Sequence, residues 1–595
     1  MPPSSKLLRN LVLASGAVLL LGLVCTLPFP SPGSVPVPDE AGYLMLTQSL
    51  WHDHDLGYAP EDLSRAFQLW PGGPRGLALV SPDGGETLRY GSSWVYPMVM
   101  LPFYGLLGVR GMVLGNLLLL AALVALGIAW WRGRPGGEGG FGELFAAAFV
   151  LASALPASVL RLQPELLIAV ALLGPLAVWQ LLAERVHWQR RHFVLLAASG
   201  AALGVAAALR PWTLLFAVAI VADLLRRGRG RELSLLVAPL LVTLAVLLAP
   251  QHRDLGVWGA GVSAGTGQRL FEESFPLEKG PGWEAGQPVT SASWTVERHE
   301  RRLAFGLESL LVGRHSGIVP YFPFTFLALA LFLASPRDRP RTLLLLALAA
   351  YCAAHLLQYQ TADAAAVFSA LGDPAFAAVY PAFLLLPGRL RWRPALLLPL
   401  AAAALWTAAL VPSELGAGAA HPGRPLHTRL AAFELLPPEL TALADQAPPG
   451  YWQGDWGGLV WLLPRDAFFV GEGHPDGVWM RGASRAEVIL VSPVELDELR
   501  LSVQSLAGDN TFTLAAGDQQ LRVRFDTEAK RQGTPLELPL YRTRARYLGG
   551  YFPDRGQFYY RLHLATTSGL VPQRHDPSSH DPRYLGVFLD LRGEP

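Results

Sequence analysis

The chain has 595 residues, of which 51% are hydrophobic and only 16% are charged, and its mean hydropathy is +0.31. A soluble domain usually carries about 25% charged residues, so this composition excludes an ordinary cytosolic enzyme, and the hydrophobic content excludes intrinsic disorder. The formal net charge of +1 provides no overall field that would attract nucleic acid. We therefore expect a multi-pass membrane protein with no nucleic acid partner.

Uncharged runs recur through the first two thirds of the chain, each near the ~20 residues needed to cross the hydrocarbon core. The first run, from Leu11 to about Pro28, follows Lys6 and Arg9 and reads as an uncleaved first helix rather than a signal sequence. Ten further apolar stretches are centred near residues 120, 151, 173, 202, 218, 241, 326, 351, 381 and 403. The sequence therefore predicts about eleven spans.

Arginine placement predicts the orientation of these spans, because cytoplasmic loops are enriched in basic residues. With eleven spans and a cytoplasmic N-terminus, every basic cluster falls in the cytoplasm. The clusters are Lys6/Arg9, Arg132/Arg134, Arg185/Arg190/Arg191, Arg226/Arg227/Arg229/Arg231, Arg337/Arg339/Arg341 and Arg389/Arg391/Arg393. Trp94–Leu107 is too short for a span and is predicted as an interfacial or re-entrant helix on the outer face. The outer-face loops are then 30–110 and 251–316, and we expect a location in the cell (inner) membrane.

We assign residues 1–411 to the membrane module. The chain after it has a different pattern. A proline-rich linker covers 412–450, and short alternating segments such as Leu499–Val503 and Leu521–Phe525 follow it. Period-two alternation between glycine, aspartate and proline turns predicts an extracytoplasmic, all-β sandwich or jelly-roll domain over 451–595. Its aromatic residues could stack on sugars or fill the core: Trp452, Trp456, Trp479, Tyr551, Tyr559 and Tyr560.

An acidic pair, Asp39 and Glu40, opens a segment that continues to Leu50 just beyond the first predicted span. The apolar residues of the segment predict a helix that lies on the outer membrane surface, and a helix N-terminus favours carboxylates. Two interpretations stay open. The pair can face the head group of a lipid-linked substrate, or Asp39 can cap the helix while Glu40 is solvated.

The order of several short motifs resembles the GT-C membrane glycosyltransferases, near the protein mannosyltransferase and aminoarabinose transferase group (related to glycosyltransferase family 39). The resemblance covers roughly residues 1–411. It rests on Asp39-Glu40, Tyr43, Gln48-Ser49-Leu50, His52–Leu56, Tyr90-Gly91, Tyr96-Pro97, Leu101–Gly108, Gln163-Pro164-Glu165, Gly204, Leu209-Arg210-Pro211 and Tyr380-Pro381-Ala382.

This resemblance implies inverting transfer of a sugar from a polyprenyl phosphate to a protein, lipid or polysaccharide acceptor on the outer face. Asp39 is then the general base, and Glu40 orients it or binds hydroxyl groups. The leaving phosphate needs a cation. The candidates are Arg210, Arg314 and His315, with Tyr90 and Glu165 as further substrate contacts.

Two features of the sequence leave alternatives open. Arg210 can equally be an anchor at the membrane surface. Near Asp373 this chain lacks the arginine of an Asn-Arg-Tyr motif that related proteins often carry. The missing arginine leaves a non-catalytic glycan-binding membrane scaffold open as an alternative. A transporter or lipid flippase is a further alternative.

A divalent metal is the one cofactor that the sequence leaves open. His52, His54 and Asp55 can converge in a turn and are weak candidate ligands. The competing interpretation is an ordinary surface loop.

Overall fold

The computed structural model describes residues 22, 26, 40–74, 76–134, 140–153, 155–183, 189–255, 268–271, 275–276, 282–288, 307, 311, 318–336, 338–361, 380–387, 402, 405, 451–464, 467–469, 477–516, 519–526, 533–540, 558–576 and 578–591. Within these ranges, helices occupy the part before residue 411 together with one small sheet, and β-strands dominate after residue 450.

The described helices, numbered in chain order, are α1 (Glu40–His52), α2 (Pro60–Leu69), α3 (Val95–Leu107), α4 (Val109–Gly133), α5 (Gly140–Leu151), α6 (Leu155–Ser158), α7 (Glu165–Ala183), α8 (Arg190–Leu209), α9 (Leu214–Arg226), α10 (Gly230–Leu255), α11 (Ile318–Tyr321), α12 (Pro323–Leu333), α13 (Arg339–Thr361) and α14 (Pro572–His575). Short 3-10 turns lie at Pro211–Thr213, Trp283–Ala285 and Tyr380–Leu385.

Four helices are long and apolar enough to cross a membrane: α4, α7, α8 and the Gly230–Pro250 part of α10. They coincide with the predicted spans centred near residues 120, 173, 202 and 241. The segment near residue 218 forms the 13-residue α9, and the segment near 326 forms the 11-residue α12. The described residues therefore support a multi-pass protein and leave the count of eleven untested. The segment predicted as an interfacial or re-entrant helix forms the 13-residue α3.

Small residues let α8 and α10 approach closely. A Cβ atom added at Gly200 would lie 2.1 Å from the carbonyl oxygen of Leu236, and one added at Gly204 would lie 2.8 Å from that of Leu240. Only glycine permits such an approach, which is the usual basis of helix association in a bilayer. These two positions set the register between the helices.

The arginine-rich turns meet at one end of the helix bundle. Arg132 pairs with Glu143, with 2.6 Å between Nε and Oε1. Asp223 is fully buried on α9, where it accepts a hydrogen bond from Trp179 Nε1 at 3.0 Å. Its carboxylate also pairs with Arg227. Charges that are removed from water must be paired, so these contacts hold α7 and α9 together at this end.

Helix α1 is a core element, and the prediction that it lies on the membrane surface is wrong. All ten residues from Glu40 to Ser49 are buried. A Cβ atom at Gly42 would lie 2.9 Å from Ser92 Oγ, which shows how closely the polypeptide covers this helix. The physical reason is the lack of a polar face: even Thr47 is buried, and its hydroxyl donates back to the carbonyl of Tyr43 at 2.7 Å.

A small antiparallel sheet covers α1 on one side. Its strands are β1 (Leu77–Val80), β2 (Arg89–Tyr90), β3 (Gln268–Phe271) and β4 (Gln287–Pro288), in the order β2-β1-β3-β4. The sheet joins the two predicted outer loops, because β1 and β2 come from the first loop and β3 and β4 from the second. Leu77, Leu79 and Phe271 pack from it into the core that includes α1.

The C-terminal part contains two antiparallel sheets around one apolar core. The strands are β5 (Tyr451–Trp456), β6 (Leu459–Pro464), β7 (Phe468–Phe469), β8 (Gly477–Arg481), β9 (Arg485–Ser492), β10 (Glu498–Ser505), β11 (Thr511–Ala516), β12 (Gln519–Arg524), β13 (Thr534–Pro539), β14 (Phe558–Thr566) and β15 (Leu585–Asp590). One sheet has the order β13-β10-β15-β8-β7 and the other β12-β11-β14-β9-β6-β5. In β10, Leu499, Leu501 and Val503 alternate toward the core, as the period-two pattern predicts.

The described aromatic residues of this sandwich form no exposed row for sugar stacking. Tyr560 is buried, and its hydroxyl oxygen accepts the Leu496 N–H at 2.6 Å. Trp452 and Trp456 are partly buried against the core, and Trp479 packs on Phe588 with 5.3 Å between ring centroids. Tyr551 lies outside the described residues, and nothing is described of the Tyr559 side chain. For Tyr560, the structure favours core filling over sugar stacking, because its side chain faces the core.

The sandwich contacts the small outer elements of the membrane module. The Arg574 guanidinium lies 4.4 Å from the centroid of the Phe67 ring on α2. Close by in sequence, a Cβ atom added at Gly72 would lie 2.7 Å from Tyr584 Cδ1. These contacts join the sandwich to the same face of the module as α2.

Candidate functional site

A cluster of buried polar groups that includes Glu40 and Glu165 lies at the end of the membrane module opposite the arginine-rich turns. Helix α7 begins at Glu165 beside these groups and ends at Ala183, whose carbonyl accepts a hydrogen bond from Arg227. A helix of 19 residues is about 28 Å long at ~1.5 Å per residue. Glu40 therefore lies about one bilayer thickness from the arginines.

Glu40 occupies the first turn of α1 and is 5% exposed. Its Oε1 atom accepts a hydrogen bond from the backbone N–H of Leu162 at 3.0 Å. Leu162 belongs to the loop that links α6 to α7. A carboxylate buried in an apolar module needs such donors, because an uncompensated charge there is costly. The contact fixes the direction in which the carboxylate points.

Glu165 and Arg210 form an ion pair at the same end. Arg210 follows the last residue of α8, and its Nη2 atom lies 3.7 Å from Glu165 Oε1. The Glu165 side chain is 6% exposed, whereas that of Arg210 is 29% exposed. The antiparallel arrangement of α7 and α8 brings these distant residues together. Arg210 therefore presents a cation at the boundary of the buried cluster.

Tyr96 and Asn116 complete the cluster. Both are 0% exposed, and the Tyr96 hydroxyl donates to Asn116 Oδ1 at 3.1 Å. Tyr96 on α3 lies within electrostatic range of both Glu40 and Glu165. The structure therefore brings together three of the predicted residues, Glu40, Glu165 and Arg210, beside a buried tyrosine.

Several predicted residues lie elsewhere or outside the described ranges. Asp39, Arg314 and His315 are outside the described residues. Tyr90 lies in a second cluster, beside the buried Asp62 on α2, and burial together with that carboxylate raises the pKa of the Tyr90 hydroxyl well above its usual value. Tyr90 is therefore protonated at any physiological pH.

The second cluster is internally paired. Asp62 accepts the backbone N–H of Ala59 at 2.9 Å, and Arg65 pairs with both Asp62 and Asp53. The Tyr58 hydroxyl donates to the carbonyl of Pro276 at 3.0 Å. These contacts tie α2 to the end of α1 and to the second outer loop.

Of the three candidate metal ligands, His52 is the last residue of α1, and His54 and Asp55 lie in the turn after it. Asp55 Oδ1 accepts hydrogen bonds from Ser49 Oγ at 2.8 Å and from the Gly57 N–H at 3.0 Å. His54 has a positive φ of 58°, and its Nδ1 lies 3.3 Å from the Leu50 carbonyl oxygen. These are contacts that shape a turn. The part of the chain that the structure describes contains no group of three or more metal-ligating side chains.

Asn116, Arg161 and Gln163 belong to the cluster but were not singled out by the sequence analysis as site residues. Arg161 and Gln163 are each 6% exposed in the loop before α7. One signal was available: Asn116 interrupts an otherwise apolar span, and polar residues within spans are commonly functional.

The arrangement can support displacement at a centre that carries a phosphate. It offers carboxylates whose direction is fixed and a guanidinium suited to bidentate phosphate contacts. Within the cluster, the Arg210 side chain is 29% exposed, so its guanidinium can be reached from outside the buried groups. The loop before α7 connects the two parts of the cluster, since its Leu162 donates to Glu40 and it leads directly into Glu165, which pairs with Arg210.

No protein-family model and no curated protein match this chain. Among solved structures, the chain is similar to ArnT from Cupriavidus metallidurans bound to undecaprenyl phosphate, with 18% identity, a TM-score of 0.35 and coverage of 69% of this chain and 64% of that chain. The apo form of the same protein matches at 16% identity and a TM-score of 0.35, with coverage of 70% and 64%.

A third match is to the arabinosyltransferase EmbB from Mycobacterium smegmatis, at 12% identity and a TM-score of 0.33, with coverage of 94% of this chain and 62% of that chain. The chain thus spans less than two thirds of the length of each of these structures.

Proposed function

We propose that the chain is a membrane glycosyltransferase that moves a sugar from a polyprenyl phosphate to an acceptor on the extracytoplasmic face, with inversion at the anomeric carbon. The observation that supports this most directly is the pairing of Glu165 with Arg210 beside the anchored Glu40, at the end opposite the arginine-rich turns. In this proposal, residues 1–411 perform the reaction, 412–450 form a linker, and 451–595 lie outside the cytoplasm.

The proposed reaction is a single displacement. Asp39 removes the proton from the acceptor hydroxyl, and the acceptor oxygen bonds to the anomeric carbon from the side opposite the phosphate. The bond between that carbon and the phosphate oxygen breaks, and polyprenyl phosphate leaves with the electron pair. Arg210 stabilises the charge on the leaving phosphate. Glu40 holds its neighbour in position, since its own carboxylate is fixed by Leu162.

Replacement of Arg210 tests the proposed phosphate site. Arg210→Ala is expected to lower kcat/KM for a polyprenyl phosphate sugar about 100-fold, because the leaving phosphate loses a charged donor. Arg210→Lys should retain part of the activity, since it keeps the charge but loses the bidentate geometry. The assay follows transfer of radiolabelled sugar in purified membranes.

Arg226→Ala is the matched control for this series. Arg226 is an exposed arginine at the opposite end of the bundle, so its removal should leave kcat/KM unchanged. Wild-type kinetics in Arg210→Ala would contradict the assignment. Movement of the lipid across the bilayer without sugar transfer would instead favour the flippase alternative.

The proposed orientation makes a separate prediction. In a cysteine-free background, Glu61→Cys on α2 should react with an impermeant maleimide in intact cells. Arg226→Cys should react only after the membrane is permeabilised. Both side chains are exposed, so burial does not limit the comparison. The reverse labelling pattern would place Asp39 and Glu40 on the cytoplasmic side and would contradict the proposal.

A further inference from the structure

The peptide bond between Arg161 and Leu162 has both of its polar groups bonded to side chains from other helices. Its carbonyl oxygen accepts a hydrogen bond from Asn116 Nδ2 on α4 at 2.6 Å. Its N–H donates to Glu40 Oε1 on α1 at 3.0 Å. A single peptide unit therefore joins the buried asparagine to the carboxylate.

The orientation of the Asn116 amide is also fixed. The Tyr96 hydroxyl donates to Oδ1, which leaves Nδ2 to face the loop, where it also lies 3.4 Å from the Val159 carbonyl. The Tyr96 ring packs edge-on against Tyr43, one turn after Glu40 on α1, with 5.5 Å between centroids. These contacts thus form a closed network that links α1, α3, α4 and the loop before α7.

This network is buried, and hydrogen bonds are stronger in a buried, low-dielectric environment than in water. Asn116 and Tyr96 are fully buried, and Glu40 and Arg161 nearly so. A donor on the carbonyl of a peptide polarises that peptide, so its N–H becomes a better donor to the carboxylate. The same donor prevents the peptide plane from rotating. Both effects act on the direction of the Glu40 carboxylate.

We infer that Asn116 is a positioning residue for the proposed reaction, acting on Glu40 through the Arg161–Leu162 peptide, with Tyr96 setting the orientation of its amide. The kinetic part of this inference rests on the proposed function. An error of about 1 Å in a reacting group can lower a rate by ~100-fold. Loss of the Asn116 amide should therefore lower kcat and leave donor binding by Arg210 largely intact.

The chain offers a matched control in Gln180 on α7. Gln180 is also buried. Its Oε1 atom accepts a hydrogen bond from Trp130 Nε1 at 3.2 Å, and its Nε2 atom donates one to the Leu384 carbonyl at 3.2 Å. It lies at the arginine-rich end of the bundle. Gln180→Leu therefore removes the same kind of contact far from the cluster.

The test compares Asn116→Leu, Tyr96→Phe and Gln180→Leu in the full-length protein. For Asn116→Leu we expect kcat to fall about 30- to 100-fold with the donor KM changed less than about threefold. For Tyr96→Phe we expect a fall of about three- to tenfold, because Asn116 Nδ2 keeps its contacts with the Arg161 and Val159 carbonyls. In a Glu40→Gln background, Asn116→Leu should add less than about threefold, because both changes act on the same carboxylate.

Hydrogen exchange provides a readout that does not depend on sugar transfer. Peptides covering 159–164 should exchange faster in Asn116→Leu and remain as in the wild type in Gln180→Leu. Unchanged exchange, or an equal loss of kcat in Gln180→Leu, would overturn the inference. So would faster exchange with wild-type kcat. If the wild-type protein transfers no sugar from any polyprenyl phosphate, the proposed function fails, and exchange alone still decides whether Asn116 holds the loop.

Discussion

Replacement of Asp39 by asparagine is expected to lower kcat for sugar transfer by about 10²- to 10⁴-fold, the range that a positioned general base contributes. The amide keeps the size of the side chain but cannot accept the acceptor's proton. Binding of the donor should change little, since the proposed phosphate contact is Arg210. The measurement is initial-rate kinetics with varied polyprenyl phosphate sugar.

Two controls accompany the Asp39 variant. Glu61→Gln removes an exposed carboxylate from α2, on the same side of the bundle, and should leave kcat unchanged. Glu40→Gln should produce a smaller loss than Asp39→Asn, because the amide oxygen can still accept the Leu162 N–H. A larger loss in Glu40→Gln would exchange the roles of the two carboxylates.

Asn510 in the sandwich is expected to give the largest effect on stability. Its side chain is fully buried and bonds to groups on three other segments. Nδ2 donates to Ser505 Oγ at 3.2 Å and to the Gly586 carbonyl at 3.1 Å. Oδ1 accepts from Thr566 Oγ1 at 2.7 Å and from the Ser568 N–H at 3.0 Å. Asn510→Leu leaves these buried groups without hydrogen-bond partners and should destabilise the sandwich by about 3–5 kcal/mol.

The neighbouring residue supplies a control for this prediction. The Asp509 side chain is 93% exposed, and Asp509→Ala should change the unfolding free energy by less than about 0.5 kcal/mol. Asn510→Asp keeps one acceptor atom but sets a buried carboxylate oxygen against the Gly586 carbonyl, so it should also destabilise the sandwich. Pulse proteolysis of the full chain in urea, read from fragments of the C-terminal part, measures all three. Equal midpoints for Asn510→Leu and wild type would show that the network adds nothing to stability.

The sequence predicted those parts of the fold that depend on local composition. Long apolar runs predicted the four helices of spanning length, because hydrocarbon requires a continuous apolar surface. Alternation in segments such as Leu499–Val503 predicted strands of a sandwich, because successive side chains of a strand face opposite sides. Arg132 and Arg227 were predicted to share one side, and both lie at the same end of the bundle.

The placement of α1 could not be predicted in the same way. Its apolar residues fit a membrane surface and a protein core equally well, because both remove them from water. The choice depends on what covers the helix, and here α3 and the small outer sheet do so. That sheet pairs strands almost 200 residues apart in the chain, for example at Leu79 and Arg269. The local sequence pattern does not indicate such long-range pairing.

The amino-acid sequence by itself determined that this protein is built from apolar helices with a β-domain after them, and it predicted that the basic turns share one side and that Asp39 and Glu40 open a helix. Only the tertiary structure decided that Glu40 is buried, that Glu165 meets Arg210, and that Asn116 holds the peptide on which Glu40 rests. The reason is physical. Composition and periodicity follow from the solvent around each segment. Contacts between charged and polar side chains depend instead on which ends of the helices lie within a few ångströms of each other in the folded chain.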